Sequence, residues 1–347
     1  MLRRAVGAVR PAVPIAGVRG AGLKSGPASA LLGLLLLCGL LSVAPPAAAI
    51  KHVVPENGDA VVGRLVGGVT RYEDTFAALA ERYNLGYQKL RDANPEVDPW
   101  LPGEGTPIVL PFKHVIPDVE QEGIVINLPE YRLYYFLPDS DFVVTFPIGI
   151  GREEFPTPII DTRIITRIEN PSWTPPASAR REYAADGITL PGVVPPGPDN
   201  PLGPLAIQLN VPGYFIHGTN RPFGVGQRAS QGCIRLYNDD IAELVRLAPN
   251  GTRVRTIEDP YKVGWRGGEL YLEVHRPLDG EVDPEAVRSL VMKAVEKRSV
   301  AVDWDLVDDI AYVARGFPKQ VSISRVAHSK DDDTAEEDKE ERAQDKS

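Results

Sequence analysis

Cysteine and histidine are both scarce in this sequence. Its 347 residues contain two cysteines, Cys38 and Cys233, and five scattered histidines. This set is too sparse for the four-ligand pattern of a structural zinc site, so we expect no bound metal. No G-K-[ST] or G-x-G-x-x-G pattern follows Gly149-Ile-Gly151, which predicts a turn there rather than a nucleotide-binding loop. We therefore expect no cofactor.

Positive charge is also in short supply, because the net charge is -9, and this argues against nucleic acid as a partner. Residues 1-49 have an unusual composition, with five basic residues and no acidic one. They contain an apolar run from Ala30 to Val43 and end in an A-x-A pattern at Ala49. This pattern predicts a cleaved signal peptide. The alternative is an uncleaved anchor, but the run is shorter than the ~20 residues of a membrane span, so we expect no stable span after cleavage.

Cleavage removes Cys38 and five positive charges, which takes the net charge from -9 to -14. Cys38 itself fits a lipoprotein signal poorly, because the bulky Leu37 precedes it. An exported chain with Cys233 as its one cysteine has no intramolecular disulfide. The thiol is then either incidental or in use.

The stretch from Tyr214 to Asn238 places His217 sixteen residues before Cys233, among several glycines. An apolar run leads to His217 and predicts a buried strand that ends at this histidine. A thiol with an ordinary pKa of roughly 8.5 is a weak nucleophile at neutral pH, and a neighbouring imidazole lowers that pKa by about two units. Alone, each residue is more often structural. Together they favour a Cys/His pair, with the backbone N-H groups of Gly232 and Cys233 facing a developing oxyanion.

The pattern H-G-T-N, followed by S-x-G-C-I-R-L, resembles the signature of the L,D-transpeptidases of bacterial cell walls, which carry the YkuD domain. The resemblance implies that Cys233 is the nucleophile, that His217 is the base and that the Gly218 carbonyl holds its ring. It also implies that Arg235 lies near the donor peptide, and we expect Ser230 to help position this donor. Most members of the family have histidine where this chain has Gln231. We interpret Gln231 as a character of the branch that attaches an outer-membrane lipoprotein to peptidoglycan.

Residues 63-111 predict a compact unit of strand, helix, helix and strand, with Asp74 as the first helix cap. The series D-T-F-x-x-L-A-x-x-Y-x-L, then L-x-x-A-N-P, resembles a LysM domain, although Glu73 stands where that family usually has glycine. The resemblance implies binding to N-acetylglucosamine in glycan strands. The same spacing is also what any small two-helix core requires.

Residues 122-258 contain the β-rich runs that the resemblance implies for the catalytic domain, and they predict an antiparallel, sandwich-like fold. Within them, residues 171-204 hold nine prolines without a regular period, so we expect an irregular inserted segment, either a linker or a lid. Trp173 and Tyr183 in this segment are candidates for wall contacts or for core packing. Asn238 predicts the N-cap of a helix after the cysteine.

Residues 259-320 predict a C-terminal extension that resembles the tail of the same branch, with a strand pattern and two helices, the first opened by Asp283-Pro284. These helices pack on the catalytic domain or on a partner, and His275 is expected to be structural. Residues 329-347 contain nine acidic and four basic residues and predict a disordered tail.

The sequence therefore predicts a mainly β enzyme with a small β-α-α-β LysM domain and a helical C-terminal extension. The resemblance implies a cysteine L,D-transpeptidase in the periplasm of a Gram-negative bacterium. It would act on peptidoglycan stem tetrapeptides, release D-alanine and pass the acyl group to an amine. A lysine of an outer-membrane protein or lipoprotein is the favoured acceptor; 3-3 cross-linking and hydrolysis remain alternatives. A non-catalytic wall-binding protein would need only the LysM module.

Overall fold

The computed structural model describes residues 49-296, 298 and 300-323. Residues 1-48 of the predicted signal peptide and the predicted acidic tail lie outside this range. Within the described part of the chain, no helix is both long enough and apolar enough to traverse a bilayer.

The N-terminal part contains a β-α-α-β module, as the sequence predicts. The elements of this part are β1 (Ile50–Val53), β2 (Val61–Val62), β3 (Leu65–Val69), α1 (Phe76–Arg82), α2 (Tyr87–Ala93), β4 (Pro107–Pro111) and β5 (His114–Val115). Strands β3 and β4 pair antiparallel, and the apolar faces of both helices pack against them around Phe76, Leu79 and Leu90. The module therefore has a core of its own.

The first helix cap differs from the prediction. Thr75, not Asp74, caps α1, because its side chain accepts a hydrogen bond from the Ala78 N-H. The Asp74 carboxylate is buried one position earlier, where it accepts from the Arg71 N-H and pairs with Arg82. The prediction failed because the Asp74 carboxylate is engaged by Arg71 and Arg82, which leaves the cap position to the next residue.

Residues 122-258, the predicted catalytic domain, form the catalytic region. Together with β1 they build a nine-stranded sheet, in the order β1-β8-β7-β6-β15-β10-β11-β12-β14. Its elements are β6 (Gly123–Asn127), β7 (Arg132–Phe136), β8 (Phe142–Pro147), β9 (Ile150–Gly151), β10 (Asp161–Glu169), α3 (Ala177–Ala185), β11 (Leu205–Leu209), β12 (Phe215–His217), a 3-10 turn (Pro222–Gly224), β13 (Arg228–Ser230), β14 (Ile234–Arg235), α4 (Asn238–Leu247) and β15 (Arg253–Ile257). The pairs in this sheet are antiparallel except β6 with β15 and β12 with β14. The mainly β prediction is confirmed.

Helix α4 begins at Asn238 but takes its N-cap position at Tyr237, one residue earlier than predicted. The Asn238 side chain is engaged elsewhere: its Oδ1 accepts from the Thr219 N-H at 2.8 Å and its Nδ2 donates to the Thr219 carbonyl at 3.0 Å. Ile241 and Leu244 are fully buried in the core beneath the sheet. Asn238 thereby fixes the turn after His217 onto the helix that follows Cys233.

The proline-rich segment is more regular than predicted, because it contains the helix α3. Prolines flank residues 177-185 but none occurs inside them, and the alanines, arginines and glutamate there are good helix formers. The prediction of an irregular segment weighed the proline content of the whole stretch and missed this short run.

The C-terminal region contains β16 (Tyr261–Arg266), β17 (Glu269–Val274), α5 (Pro284–Val295), α6 (Trp304–Val313) and β18 (Lys319–Gln320). Strands β16, β17 and β18 form a separate sheet, and the two helices pack on it around Leu272, Val287 and Val307. Asp283 and Asp303 cap the helices. Both predicted helices are thus present, but they pack on the sheet of this region and not on the catalytic domain as predicted, because the apolar face of that sheet lies next to them in the chain.

Candidate active site

Two neighbouring strands bring the predicted nucleophile and base together. Strands β12 and β14 pair in parallel, with Ile216 opposite Ile234 and His217 opposite Arg235. His217 therefore ends β12, while Cys233 stands immediately before β14. Both side chains line one cavity of about 710 Å³. The fifteen intervening residues form a long connection, because a parallel pair cannot be closed by a tight turn.

The His217 ring is fixed by its own neighbour in sequence. Its Nδ1 lies 2.6 Å from the Gly218 carbonyl oxygen, which can only accept, so Nδ1 carries the proton and Nε2 keeps a lone pair. A side chain at Gly218 would meet Asn238 Oδ1 at 2.5 Å, so the turn requires glycine. Burial and the Arg235 charge lower the pKa of His217 to about 4, although the Gly218 carbonyl acts in the opposite direction. The imidazole is therefore neutral at neutral pH.

The Cys233 thiol does not match the activated state that the sequence predicts. Burial raises the pKa of this thiol above its ordinary value, and the Phe215 backbone and the Arg235 charge offset only part of the rise. Its Sγ lies 3.5 Å from the Gly213 carbonyl oxygen. The expected lowering depends on an imidazole that takes the thiol proton or lies beside the thiolate as a cation, and the buried His217 is uncharged. At rest the cavity therefore holds a protonated thiol and a neutral imidazole.

The loop before the cysteine is held by three hydrogen bonds. The Gly232 N-H donates to Ser230 Oγ at 3.1 Å, and Ser230 Oγ donates to the Cys233 carbonyl at 2.6 Å. Thr157 Oγ1 donates to the Gly232 carbonyl at 3.0 Å. Gly232 adopts a φ of 103°, where its missing side chain matters. The predicted oxyanion role of the Gly232 N-H is therefore corrected, because this donor already has an acceptor.

Gln231 points towards the proline-rich segment. Ser178 Oγ donates to Gln231 Oε1 at 2.8 Å, and Gln231 Nε2 donates to Glu182 Oε2 at 3.0 Å. Glu182 also receives two hydrogen bonds of 2.7 Å from the Arg152 guanidinium. Position 231 therefore ties α3 to the nucleophile loop. Trp173 and Tyr183, from the same segment, line the cavity.

Arg235 contributes a positively charged side chain to the cavity. Its backbone pairs with Gly149 in both directions, at 2.8 and 2.9 Å. Its guanidinium passes over Gly224, where an added side chain would meet Nη1 at 2.2 Å. Arg221 lines the same cavity and repels it, and burial with this like charge lowers the pKa of Arg235. Neither arginine forms an ion pair with a described residue.

Sequence reasoning missed several residues of this site. Thr157 lies 75 residues before the glycine whose carbonyl it binds, and Arg152 and Glu182 lie on separate elements. None belongs to a local pattern, so only the folded chain brings them together. Arg221, in contrast, stands in the H-G-T-N-R stretch and carried a visible signal as a basic residue beside the predicted base.

Outside the cavity, one group of side chains resembles a metal site. Its potential ligand atoms belong to His114, Glu130 and Glu273 and lie within 4.8 Å of one another, and it is the only such group among the described residues. Lys262 Nζ lies 2.6 Å from Glu130 and 3.3 Å from Glu273. Lys89 Nζ lies 2.6 Å from His114 Nδ1. Two lysine side chains therefore lie against the atoms that would ligate a metal ion. His275, 2.8 Å from Glu273, joins this network and is structural, as predicted.

Comparisons with known proteins identify the family of this chain. Residues 121-256 match the family model described as the YkuD L,D-transpeptidase catalytic domain. The chain is 43% identical over 302 residues to the probable L,D-transpeptidase ErfK/SrfK of Escherichia coli (strain K12), covering 83% of this chain and 96% of that protein. It is 38% identical over 297 residues to the probable L,D-transpeptidase YcfS of the same strain, covering 83% and 93%.

Among solved structures, the NMR structure of the catalytic domain of the E. faecium L,D-transpeptidase is 20% identical, with a TM-score of 0.31, and covers 41% of this chain and 100% of that chain. The identities to the two relatives, which extend over most of their length and of this chain, decide the assignment. The chain belongs to the L,D-transpeptidase family with the YkuD catalytic domain.

Proposed function

We propose that this L,D-transpeptidase works by covalent catalysis through Cys233 on peptidoglycan stem tetrapeptides. The observation that carries the proposal is that His217 ends β12, that Cys233 immediately precedes its parallel partner β14, and that both side chains line one cavity. The sulfur attacks the carbonyl carbon of the L-centre of meso-diaminopimelate. His217 Nε2 takes the thiol proton and gives it to the departing amine, so that D-alanine leaves and a thioester remains.

The resting protonation states define how this step begins. A protonated thiol beside a neutral imidazole has no preformed thiolate, so proton transfer accompanies the approach of substrate. The Gly218 carbonyl keeps His217 in the tautomer that can accept this proton. The Cys233 N-H is the proposed oxyanion donor, now without Gly232. Ser230 acts indirectly, because its hydrogen bonds fix the loop that carries Gly232 and Cys233.

An amine then attacks the thioester and receives the acyl group. The favoured acceptor is a lysine of an outer-membrane protein or lipoprotein, which follows from the branch that the sequence resembles. Transfer to the diaminopimelate of another stem would give a 3-3 cross-link instead, and transfer to water would make the enzyme a hydrolase. The same thioester serves all three reactions, so the acceptor must be found by product analysis.

The β-α-α-β module is proposed to bind glycan as a LysM domain. It is fixed beside the catalytic region, which supports this role. The N-H groups of Tyr87 and Gln88, at the start of α2, donate to the carbonyls of Val225 and Gly226 at 3.3 and 3.2 Å. Asn84 Nδ2 also donates to the buried Asp240 at 2.8 Å. A glycan strand held here would stay close to the cavity. Together with the predicted signal peptide, residues 1-49, this supports the proposal that the enzyme acts in the periplasm.

The experiment is intact-mass spectrometry of the purified protein incubated with a disaccharide tetrapeptide, with and without a lysine-containing acceptor peptide. We expect an adduct on Cys233 that lacks D-alanine and that passes to the lysine. If the adduct is transferred only to water or to a second stem, the assignment of a lysine as the acceptor is wrong. Absence of any adduct on a folded protein would overturn the proposed chemistry.

A further inference from the structure

The cavity holds more positive charge than its own carboxylates balance. Three arginines line it, Arg152, Arg221 and Arg235, against two carboxylates. One of these carboxylates, Glu182, is engaged by both guanidinium nitrogens of Arg152. The other, Asp199, is exposed, and its backbone carbonyl accepts from Asn220. An excess of positive charge therefore remains around Arg221 and Arg235.

Arg235 is also incompletely hydrogen-bonded. Its Nε is buried and has no partner among the described residues. A buried donor without an acceptor costs stability, on the order of 1-3 kcal/mol for an ordinary polar group and more for a charged one. Two adjacent guanidinium groups also repel each other. Both costs are relieved when an anion with several acceptor oxygens enters between them, and a carboxylate accepts from guanidinium in the fork geometry that arginine offers.

We propose that Arg221 and Arg235 form a subsite for a carboxylate of the donor peptide, and that the occupant is the terminal carboxylate of the D-alanine that leaves. This inference rests on the proposed function. In the donor, one nitrogen and one Cα separate this carboxylate from the scissile carbonyl carbon, so the two carbons lie within roughly 4 Å. Arg235 stands opposite His217 in the strand register, two residues after Cys233, and lines the same cavity, so it lies close to the reacting groups.

The subsite explains selection of tetrapeptides. A stem that ends in one D-alanine places a full negative charge next to the bond that breaks. A stem extended by a further residue replaces that charge with a neutral amide and moves the carboxylate outwards. The diaminopimelate side chain carries a second carboxylate, but at the far end of a flexible chain. The Arg221/Arg235 subsite therefore makes the enzyme specific for the length of the donor.

The test compares acylation rates for three donors: the disaccharide tetrapeptide, the same compound with a terminal D-alaninamide, and the same compound amidated on the diaminopimelate side chain. Intact-mass spectrometry of the purified protein follows the adduct. We expect the terminal amide to react about 10- to 100-fold more slowly, as for loss of a charge-assisted contact, and the side-chain amide to react normally.

The Arg221→Gln variant should be acylated by the unmodified tetrapeptide more slowly, by a similar factor. Its acylation by the terminal amide should be unchanged, so that the preference for the free carboxylate disappears. Arg246→Gln is the matched control, because Arg246 lies on the surface of α4 and pairs with Glu243. If Arg221→Gln slows both donors equally, or if only the side-chain amide reacts slowly, the subsite assignment is wrong. If no donor forms an adduct on the unmodified protein, the proposed function itself fails, and the inference fails with it.

Discussion

Two buried polar clusters of this protein contain similar residue types but differ in how fully these residues are paired. The junction cluster, defined by Lys89, His114, Glu130, Lys262 and Glu273, lies where the β-α-α-β module, the catalytic region and the C-terminal region meet. Each ionised group there has an opposite charge within 4 Å. The active-site cavity keeps a protonated thiol, a neutral imidazole and two arginines without carboxylate partners among the described residues.

The difference in pairing distinguishes a structural cluster from a reactive one. In the junction, burial alone would raise the pKa of Glu130, but Lys262, His114 and Lys89 outweigh it and hold that pKa well below its usual range. In the cavity, no such partner reverses the effect of burial on Cys233. A buried group whose partner is missing is one whose partner is supplied by substrate, and this comparison leads to four expectations.

The largest effect is expected from removing the nucleophile. Cys233→Ala should abolish acyl-enzyme formation, with a loss of about 10⁴-fold or more, because no other group in the cavity can form the thioester. Intact-mass spectrometry with the tetrapeptide donor measures this loss. The thermal unfolding midpoint should stay close to that of the unmodified protein. Residual acylation at another residue would contradict the account.

The junction cluster should respond in stability instead. Glu130→Gln leaves Lys262 buried without its closest carboxylate, so the free energy of unfolding should fall by about 3-5 kcal/mol. Urea titration followed by circular dichroism gives this value. Glu120→Gln, at an exposed pair with Arg253, is the control and should change the midpoint little. An unchanged midpoint for Glu130→Gln would show that the cluster contributes nothing.

His217 should make stability depend on pH. Its pKa is about 4 in the folded state and about 6.5 in the unfolded state, so the unfolded chain binds more protons between these values. Stability contributed by the neutral ring is complete above pH 6.5 and is lost as pH falls towards 4, by about 3 kcal/mol in all. Urea titrations at pH 7 and pH 4.5 on the unmodified protein and on His217→Gln measure the difference. Because the partly buried His52 and the buried His114 also have lowered pKa values, only the pH dependence that is absent from His217→Gln is assigned to His217.

The smallest effect is expected at position 231. Gln231→His removes the hydrogen bonds to Ser178 and Glu182 that hold α3 to the nucleophile loop, while Arg152 still binds Glu182. The acylation rate should change by about 10-fold or less, because the lost bonds, one of them to the Glu182 carboxylate, hold the loop and do not contact the reacting atoms. A loss as large as that of Cys233→Ala would mean that Gln231 takes part in the chemistry.

The sequence predicted the parts of this molecule that local patterns determine. The strand ending at His217, the glycine turn before Cys233, the two helices of the module and the two C-terminal helices all follow from apolar periodicity or turn chemistry within about fifteen residues. The fold class and the Cys/His pair were within reach for the same reason.

What the sequence missed depends on contacts between distant residues. Thr157 reaches the Gly232 carbonyl, and Ser230 takes the Gly232 N-H, so the predicted oxyanion donor is already engaged. The rise in the thiol pKa was not expected either, because it follows from the burial of His217 and the partial burial of Cys233, which the whole sheet determines and their spacing does not. Helix α3 was hidden by the prolines on either side of it.

The central claim is that Cys233 is a protonated thiol in the absence of substrate. The pH dependence of Cys233 alkylation tests this claim most directly. The rate of reaction with iodoacetamide, followed by intact-mass spectrometry from pH 5 to pH 10.5 in the absence of donor, reports the thiolate fraction. The account predicts a rate that keeps rising through pH 9, because the thiol pKa lies above its ordinary value. A rate that reaches its plateau near pH 6 would show a preformed thiolate and imidazolium pair and would contradict it.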